Sequence, residues 1–138
     1  MPMSSTMRDY IKLGATIRNE EARKINWKAF EYYRALEKIH TYIRQQPDTS
    51  LTLTEAAAIA GMEATHFSKF FHKKTGVCFK YWEDLRKVER AIALFEATDI
   101  SVTEAALKAG FNDLTTFERT FKRIKRITPG AYKRRLAA

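Results

Sequence analysis

A nine-residue pattern occurs twice in this chain, 49 positions apart: Leu53 to Gly61 aligns with Val102 to Gly110. Six of the nine positions are identical, and the shared residues are Thr, Glu, three Ala and Gly. Thr52 and Ser101 each stand three residues before the shared Glu, which is the capping-box pattern that begins a helix. The shared Gly can end that helix, because it adopts the left-handed conformation without a Cβ penalty. The repeat therefore predicts two short helices, each closed by a glycine turn.

An amphipathic segment with two closely spaced phenylalanines follows each glycine turn and predicts helices over 64–74 and 113–125. The second copy has one more residue between its Gly and these phenylalanines, so the register differs by one between the two units. Helix, turn and helix together are the plan of a common DNA-binding motif, and its duplication predicts that one polypeptide reads double-stranded DNA at two places. At 100° per residue, one side of each second helix is apolar and is expected to be core. That side consists of Phe67, Phe70, Phe71, Phe117, Phe121 and Ile124.

The rest of the chain is also helical in pattern. An apolar stripe from Ile25 to Ile43 steps by fours and threes, which predicts one helix over 19–46. Residues 79–97 predict a long amphipathic helix of about 28 Å, which could hold two DNA-reading units at a fixed distance. A Thr-Pro pair at 128–129 predicts the start of a last short helix. The predicted fold is all-α, with two helix-turn-helix subdomains joined by a long linker helix.

Charge narrows the class of partner. The chain has 25 Lys and Arg against 16 Asp and Glu, a formal net charge of +9, which favours a polyanion such as DNA, RNA or an anionic membrane surface. A single cysteine, Cys78, excludes an internal disulfide and suits a reducing cytosol, and we expect it to be half-buried. The sequence has no apolar run long enough to cross a bilayer, which favours a cytoplasmic protein. It also offers no catalytic set of residues and no metal-ligand spacing, so neither an enzyme nor a cofactor is predicted.

The polar side of each second helix is the side that would face DNA. Lys69 and Arg119 are the best candidates for reading a base, because Lys and Arg can bind O6 and N7 of guanine in the major groove. The other predicted DNA-contacting residues on these helices are Thr65, Ser68, His72, Thr115, Glu118, Lys122 and Arg123. The basic runs 122–126 and 133–135 predict phosphate contacts, with a merely solvated charged face as the alternative.

A specific signature occupies the last third of the chain. It consists of Ala105-Ala106, Ala109-Gly110-Phe111, Phe117, Arg119, Phe121-Lys122, Thr128-Pro129 and Tyr132-Lys133-Arg134. With these residues the chain resembles the AraC/XylS family of bacterial transcription regulators. The first repeat adds Ala57, Ala60-Gly61, Phe71, Lys73-Lys74-Thr75-Gly76 and Phe79, so the resemblance extends over about residues 36–136.

The resemblance implies two helix-turn-helix subdomains that insert recognition helices into successive major grooves. It also implies an activator that recruits RNA polymerase. The family's base-contacting positions correspond here to Thr65, Ser68, Lys69, Leu114, Thr115, Glu118 and Arg119. Periodicity disagrees at Leu114, because the helical wheel places it on the buried Phe117 side.

Two positions depart from the family pattern. Arg126 stands where the family usually has the glycine that ends a helix in the left-handed conformation, which puts the shape of that turn in question. Cys78 stands where the family commonly has Ser, so a hydroxyl cap for the linker helix is weakened.

We predict an arm and helix extension over 1–35 and a DNA-binding domain over 36–138, divided at about 79–97 by the linker helix. Thirty-five residues are too few for a separate effector-binding domain, so we expect a stand-alone regulator, monomeric on DNA and associated with the nucleoid. A dimer through the Ile25 to Ile43 stripe stays possible at this point. The alternatives are a protein-interaction module that uses this stripe, or a nucleoid-type binder with little sequence preference.

Overall fold

The computed structural model describes residues 24–138, and every secondary-structure element in this part of the chain is a helix, as predicted. The predictions for residues 1–23 lie outside it. The helices of the described part are α1 (Ala29–Tyr32), α2 (Arg34–Gln45), α3 (Leu53–Ala60), α4 (Ala64–Thr75), α5 (Phe79–Ala97), α6 (Val102–Ala109), α7 (Leu114–Lys125) and α8 (Pro129–Ala137). None of these helices has the length and apolarity that crossing a membrane requires.

The helices form two lobes on one linker helix. Helices α1 to α4 pack together as the first lobe, and α6 to α8 pack together as the second. Helix α5 contacts α4 in the first lobe and all three helices of the second, so it belongs to both. This is the predicted architecture, with the linker helix at its predicted bounds.

Aromatic side chains fill both cores. In the first lobe, the ring of Phe30 stacks on Trp82 of α5 with centroids 5.6 Å apart, and Phe71 meets the same indole edge-on at 5.5 Å. In the second lobe, Phe95 of α5 meets Phe121 at 6.5 Å. Each fully buried side chain of this size contributes about 1.5–3 kcal/mol of transfer free energy. Helix α5 therefore supplies an aromatic ring to each core, Trp82 near its start and Phe95 near its end.

The two repeats begin and end much as the sequence predicts. Thr52 Oγ1 accepts from the Glu55 amide at 3.1 Å, and Glu55 accepts in return from the Thr52 amide at 3.1 Å, a complete capping box. In the second repeat, the Ser101 hydroxyl accepts from the Glu104 amide. Among the described residues, this is the one side-chain bond that caps the helix. Both helices end at a left-handed glycine, Gly61 with φ 73° and Gly110 with φ 106°.

The single helix predicted over 19–46 is wrong in the described part of that range. Tyr33 is extended, with φ −95° and ψ 123°, and separates α1 from α2. Residues 24–28 are not helical, because the Asn26 amide donates at 2.7 Å to the carbonyl of Thr75 at the end of α4. The break turns the Tyr33 ring onto Phe70, with centroids 5.6 Å apart. Tertiary contacts with α4 therefore override the helical periodicity of this segment.

The apolar stripe of this segment is part of the first core. Its buried members are Ile25, Ala29, Leu36, Ile39 and Ile43, whereas Tyr32 is 81% exposed. A dimer or a partner protein that needed the stripe would have to open the first lobe. The stripe is therefore a folding feature and not a free docking face.

Two further expectations need correction. Phe70 is half-buried and not fully in the core, because it lies under Tyr33 at the edge of the lobe. Cys78 is exposed and not half-buried, because it precedes α5 as its N-cap residue, outside the packed turns.

Candidate nucleic-acid interface

The second helix of the first lobe begins at a carboxylate. Glu63 is the N-cap of α4, and its two oxygens accept from the amides of Thr65 at 2.9 Å and His66 at 3.0 Å. These hydrogen bonds hold the charged form and lower the pKa of Glu63 from its ordinary value of 4.5. The negative charge also lies at the positive end of the helix dipole. The first amides of α4 therefore have a hydrogen-bond acceptor within the protein.

Helix α7 of the second lobe begins in the same way. Asp113 Oδ1 accepts from the Thr116 amide at 2.7 Å, and Oδ2 accepts from the Thr116 hydroxyl at 3.1 Å. The amide bond first, and then the hydroxyl, lowers the pKa of Asp113 from its ordinary value of 3.8. The predicted helix start at 113 is therefore its cap, and the helix proper begins one residue later.

Helix α4 separates an apolar face from a polar one. Phe67 and Phe71 are fully buried. Opposite them lie the predicted DNA-contacting residues of this helix: Thr65, Lys69 and His72 are exposed, and Ser68 is half-buried. Lys73 lies in the same shallow surface with Ser68, Lys69 and His72. The sequence reading did not select Lys73, although its spacing of four from Lys69 was the signal that could have identified it.

Helix α7 presents its predicted residues in the same manner. Thr115, Glu118, Arg119 and Lys122 are all exposed, and Phe117 and Phe121 are fully buried behind them. Leu114 is 37% exposed, so its placement on the buried side by the helical wheel is wrong. It is the first residue of the helix, where the chain enters from the turn and the core does not reach. The family-derived position for Leu114 agrees with this exposure.

The basic run at the end of α7 is divided by ion pairs with α5. Arg123 Nη2 donates to Asp84 Oδ2 at 2.8 Å while 58% of its side chain stays exposed. Lys125 is buried against Glu89, so its predicted phosphate contact is wrong: its charge is used inside the protein. Arg126 is exposed, and Lys133 lies 3.5 Å from Asp99. The pairs of Arg123 with Asp84 and of Lys125 with Glu89 hold α7 against the linker helix.

The first helix, glycine turn and second helix are thus built twice, with a basic polar face outward each time. This arrangement defines a double helix-turn-helix protein. A sequence model described as a helix-turn-helix domain matches residues 56–135. The chain belongs to the AraC family of DNA-binding transcription regulators, which are not enzymes.

Solved structures with this fold include regulators from several bacteria. The C-terminal domain of the two-component response regulator yesN from Fusobacterium nucleatum is 27% identical, covers 73% of this chain and 99% of its own, and superposes with a TM-score of 0.66. The DNA-binding domain of the global transcriptional factor AdpA, solved with a target DNA, is 26% identical over 72% and 88% of the two chains, with a TM-score of 0.64. A probable AraC family regulator from Rhodopseudomonas palustris shares the fold at 24% identity, with coverage of 75% and 98% and a TM-score of 0.65. No curated protein matches the sequence.

Proposed function

We propose that this chain is a sequence-specific regulator whose helices α4 and α7 enter two successive major grooves of double-stranded DNA. The observation that supports this most directly is the pair of exposed polar faces, one on each recognition helix, carried by a single linker helix that shares both cores. The long side chains of Lys69 and Arg119 can donate hydrogen bonds to O6 and N7 of guanine in the major groove. The AdpA domain, solved with a target DNA, supports the same use of the fold here.

Several finer features belong to the same proposal. The protein acts as a monomer on DNA, because two unlike recognition helices in one chain supply both halves of a bipartite site. It works in the cytoplasm at the nucleoid, and it activates transcription by recruiting RNA polymerase. A net charge of +9 supports a phosphate-dependent affinity that decreases steeply with salt.

Selection of bound sequences from a random duplex pool tests the proposal. We expect two unlike elements about 10 base pairs apart, one DNA turn. Lys69→Ala should relax base preference in one element and Arg119→Ala in the other. Each variant should lose about 1–3 kcal/mol of binding free energy. Lys38→Ala, which removes an exposed charge from α2, is the matched control and should leave both elements unchanged.

Two results would reject the proposal. Equal affinity for unrelated duplexes would indicate a nucleoid-type binder. Loss of preference in the same element for both variants would reduce one lobe to a scaffold.

A further inference from the structure

The two lobes also contact each other directly, at a place that the sequence pattern does not predict. Beside the linker helix, the loop over 47–50 before α3 approaches the end of α6 in the second lobe. Ser50 of this loop lies so close to Gly110 that a Cβ on the glycine would collide with the serine Oγ. Gly110 also has φ 106°, so a side chain there would be strained as well as obstructed. The glycine that ends α6 is therefore also a contact point between the lobes.

Arg90 of α5 joins these two segments. Its Nη1 donates to the carbonyl of Asp48 at 3.0 Å and to the carbonyl of Ala109 at 2.9 Å. Its Nη2 donates to the Thr49 carbonyl at 3.2 Å, and Nη1 lies 3.4 Å from Ser50 Oγ. One guanidinium thus holds the loop of the first lobe and the last residue of α6 in the second.

We call the contact of Arg90 with loop 47–50 and Ala109 the Arg90 joint. Its chemistry suits arginine. Ala109 is the last residue of α6, where helix carbonyls lack partners within the helix and the dipole is negative, so a cation is favoured. Burial first, and then the charge of Arg86, lowers the pKa of Arg90, but a guanidinium stays charged in proteins. The planar fork can reach carbonyls in two directions, which a single ammonium cannot do.

Arg86 reinforces the first-lobe side of the joint. It is buried in a pair with Glu83 at 2.7 Å, and its Nη2 donates to the carbonyls of Pro47 at 3.4 Å and Thr49 at 3.3 Å. Glu83 in turn accepts from the Leu51 amide at 3.2 Å. The loop is therefore fixed to α5 independently of Arg90, whereas Arg90 alone of these groups reaches into the second lobe.

The position of Arg90 along α5 allows the Arg90 joint to limit the relative orientation of the two lobes. The first lobe packs on the start of α5 through Trp82. The second lobe packs near its end through Phe95 and extends back along α5 through the ion pairs of Arg123 with Asp84 and of Lys125 with Glu89. Long helices bend, so the stretch between these rings is where the lobes could change their relative orientation. Arg90 lies in that stretch.

We infer that Arg90 is a positioning residue that fixes the angle between the two recognition helices and thereby sets which spacing of DNA elements the protein accepts. This inference rests on the proposed two-groove function. A rigid joint gives high effective concentration of the second lobe at one spacing and almost none where the geometry forbids simultaneous contact. Each base pair added turns the DNA by roughly 35°, so a rigid protein distinguishes spacings that differ by one or two base pairs.

The test compares Arg90→Met with Lys38→Met, which removes the same charge from an exposed position on α2, away from the contacts between the lobes. Affinity is measured for duplexes that carry the two selected elements at the preferred spacing and at one or two base pairs more or less. We expect the control and the unaltered protein to lose about tenfold or more at a wrong spacing. Arg90→Met should lose less than about threefold there, and it should bind the preferred spacing more weakly, because a flexible joint lowers effective concentration.

A second measurement needs no DNA. Spin labels at Glu37→Cys and Leu107→Cys, both exposed and one in each lobe, report the distance between the lobes in a Cys78→Ser background. Arg90→Met should broaden the distance distribution, and Lys38→Met should not. If Arg90→Met does not fold, as judged by its helical circular dichroism, Arg90→Lys replaces it. Its ammonium should also fail to hold both lobes.

The outcomes separate the inference from the function on which it rests. An Arg90 variant with the control's distance distribution and the control's spacing preference overturns the inference. An unaltered protein without any spacing preference overturns the two-groove function, while the width of the distance distribution still decides whether Arg90 joins the lobes.

Discussion

The ammonium of Lys125 lies 2.6 Å from Oε1 of Glu89, and the two side chains are only 3% and 5% exposed. This pair connects the end of α7 to the linker helix in the interior of the second lobe. A charge at such a depth is tolerated because its partner is present.

Lys125→Met should destabilise the protein by about 3 kcal/mol, because it leaves the Glu89 carboxylate buried without this counter-charge. Urea unfolding at neutral pH measures the loss, with the exposed neighbour Lys122→Met as control. Combining Lys125→Met with Glu89→Gln should recover part of the lost stability, because both charges are then gone. A single-variant loss below about 1 kcal/mol, the range of a surface pair, would contradict the structural role assigned here.

The turn that ends α7 predicts an unusual gain in stability. Arg126 has φ 70°, the left-handed conformation that costs an L-residue about 1–2 kcal/mol, so Arg126→Gly should raise the free energy of unfolding by up to about 1 kcal/mol. Gly76 ends α4 at φ 89°, and a Cβ there would lie 2.9 Å from the Lys24 carbonyl oxygen. Gly76→Ala should therefore destabilise the protein. Thermal unfolding of both variants provides the comparison, and a loss of stability in Arg126→Gly would be the contrary result.

The N-cap of the linker helix predicts a second gain. Cys78 is the N-cap of α5 and forms no side-chain capping bond. Cys78→Ser should stabilise the protein by about 0.5–1 kcal/mol, because a serine hydroxyl at this position can accept from a free amide of the first turn. Cys78→Ala, which removes the thiol and adds no acceptor, is the matched control in the same urea titration. Equal midpoints for the two variants would show that the hydroxyl finds no amide.

The two acidic caps predict how stability depends on pH. The folded state lowers the pKa of Glu63 and of Asp113, so the unfolded chain binds protons more readily. Their contribution to the free energy of unfolding is therefore fully present above the ordinary pKa values of 4.5 and 3.8. It is lost as pH falls through the lower pKa values of the folded state. Unfolding midpoints measured from pH 6 downward should show this decrease.

The controls for this pH dependence keep the caps and remove the titration. Asp113→Asn retains a good N-cap acceptor, and Glu63→Gln keeps the length of the side chain. The double variant should be less sensitive to acid than the unaltered protein. An identical acid profile would assign the decrease to other carboxylates.

Local sequence determined most of the elements. The bounds of α3, α5 and α6 follow from the capping hydroxyls, the glycines and the spacing of apolar residues, because these signals act within one or two turns of helix. The exposed faces of α4 and α7 follow in the same way from their buried phenylalanines. The family signature added Leu114, which periodicity alone placed wrongly.

Tertiary structure decided the rest, because it brings together residues that are distant in sequence. The break at Tyr33 depends on contacts of its ring with Phe70 and Lys74 of α4, and the loss of Lys125 from the basic face depends on an acid 36 positions away. The Arg90 joint needs carbonyls from two lobes, and a backbone carbonyl leaves no trace in the sequence. The sequence by itself therefore specified most of the helices and the exposed polar faces of α4 and α7, whereas the angle between those faces arises only from long-range packing and hydrogen bonding.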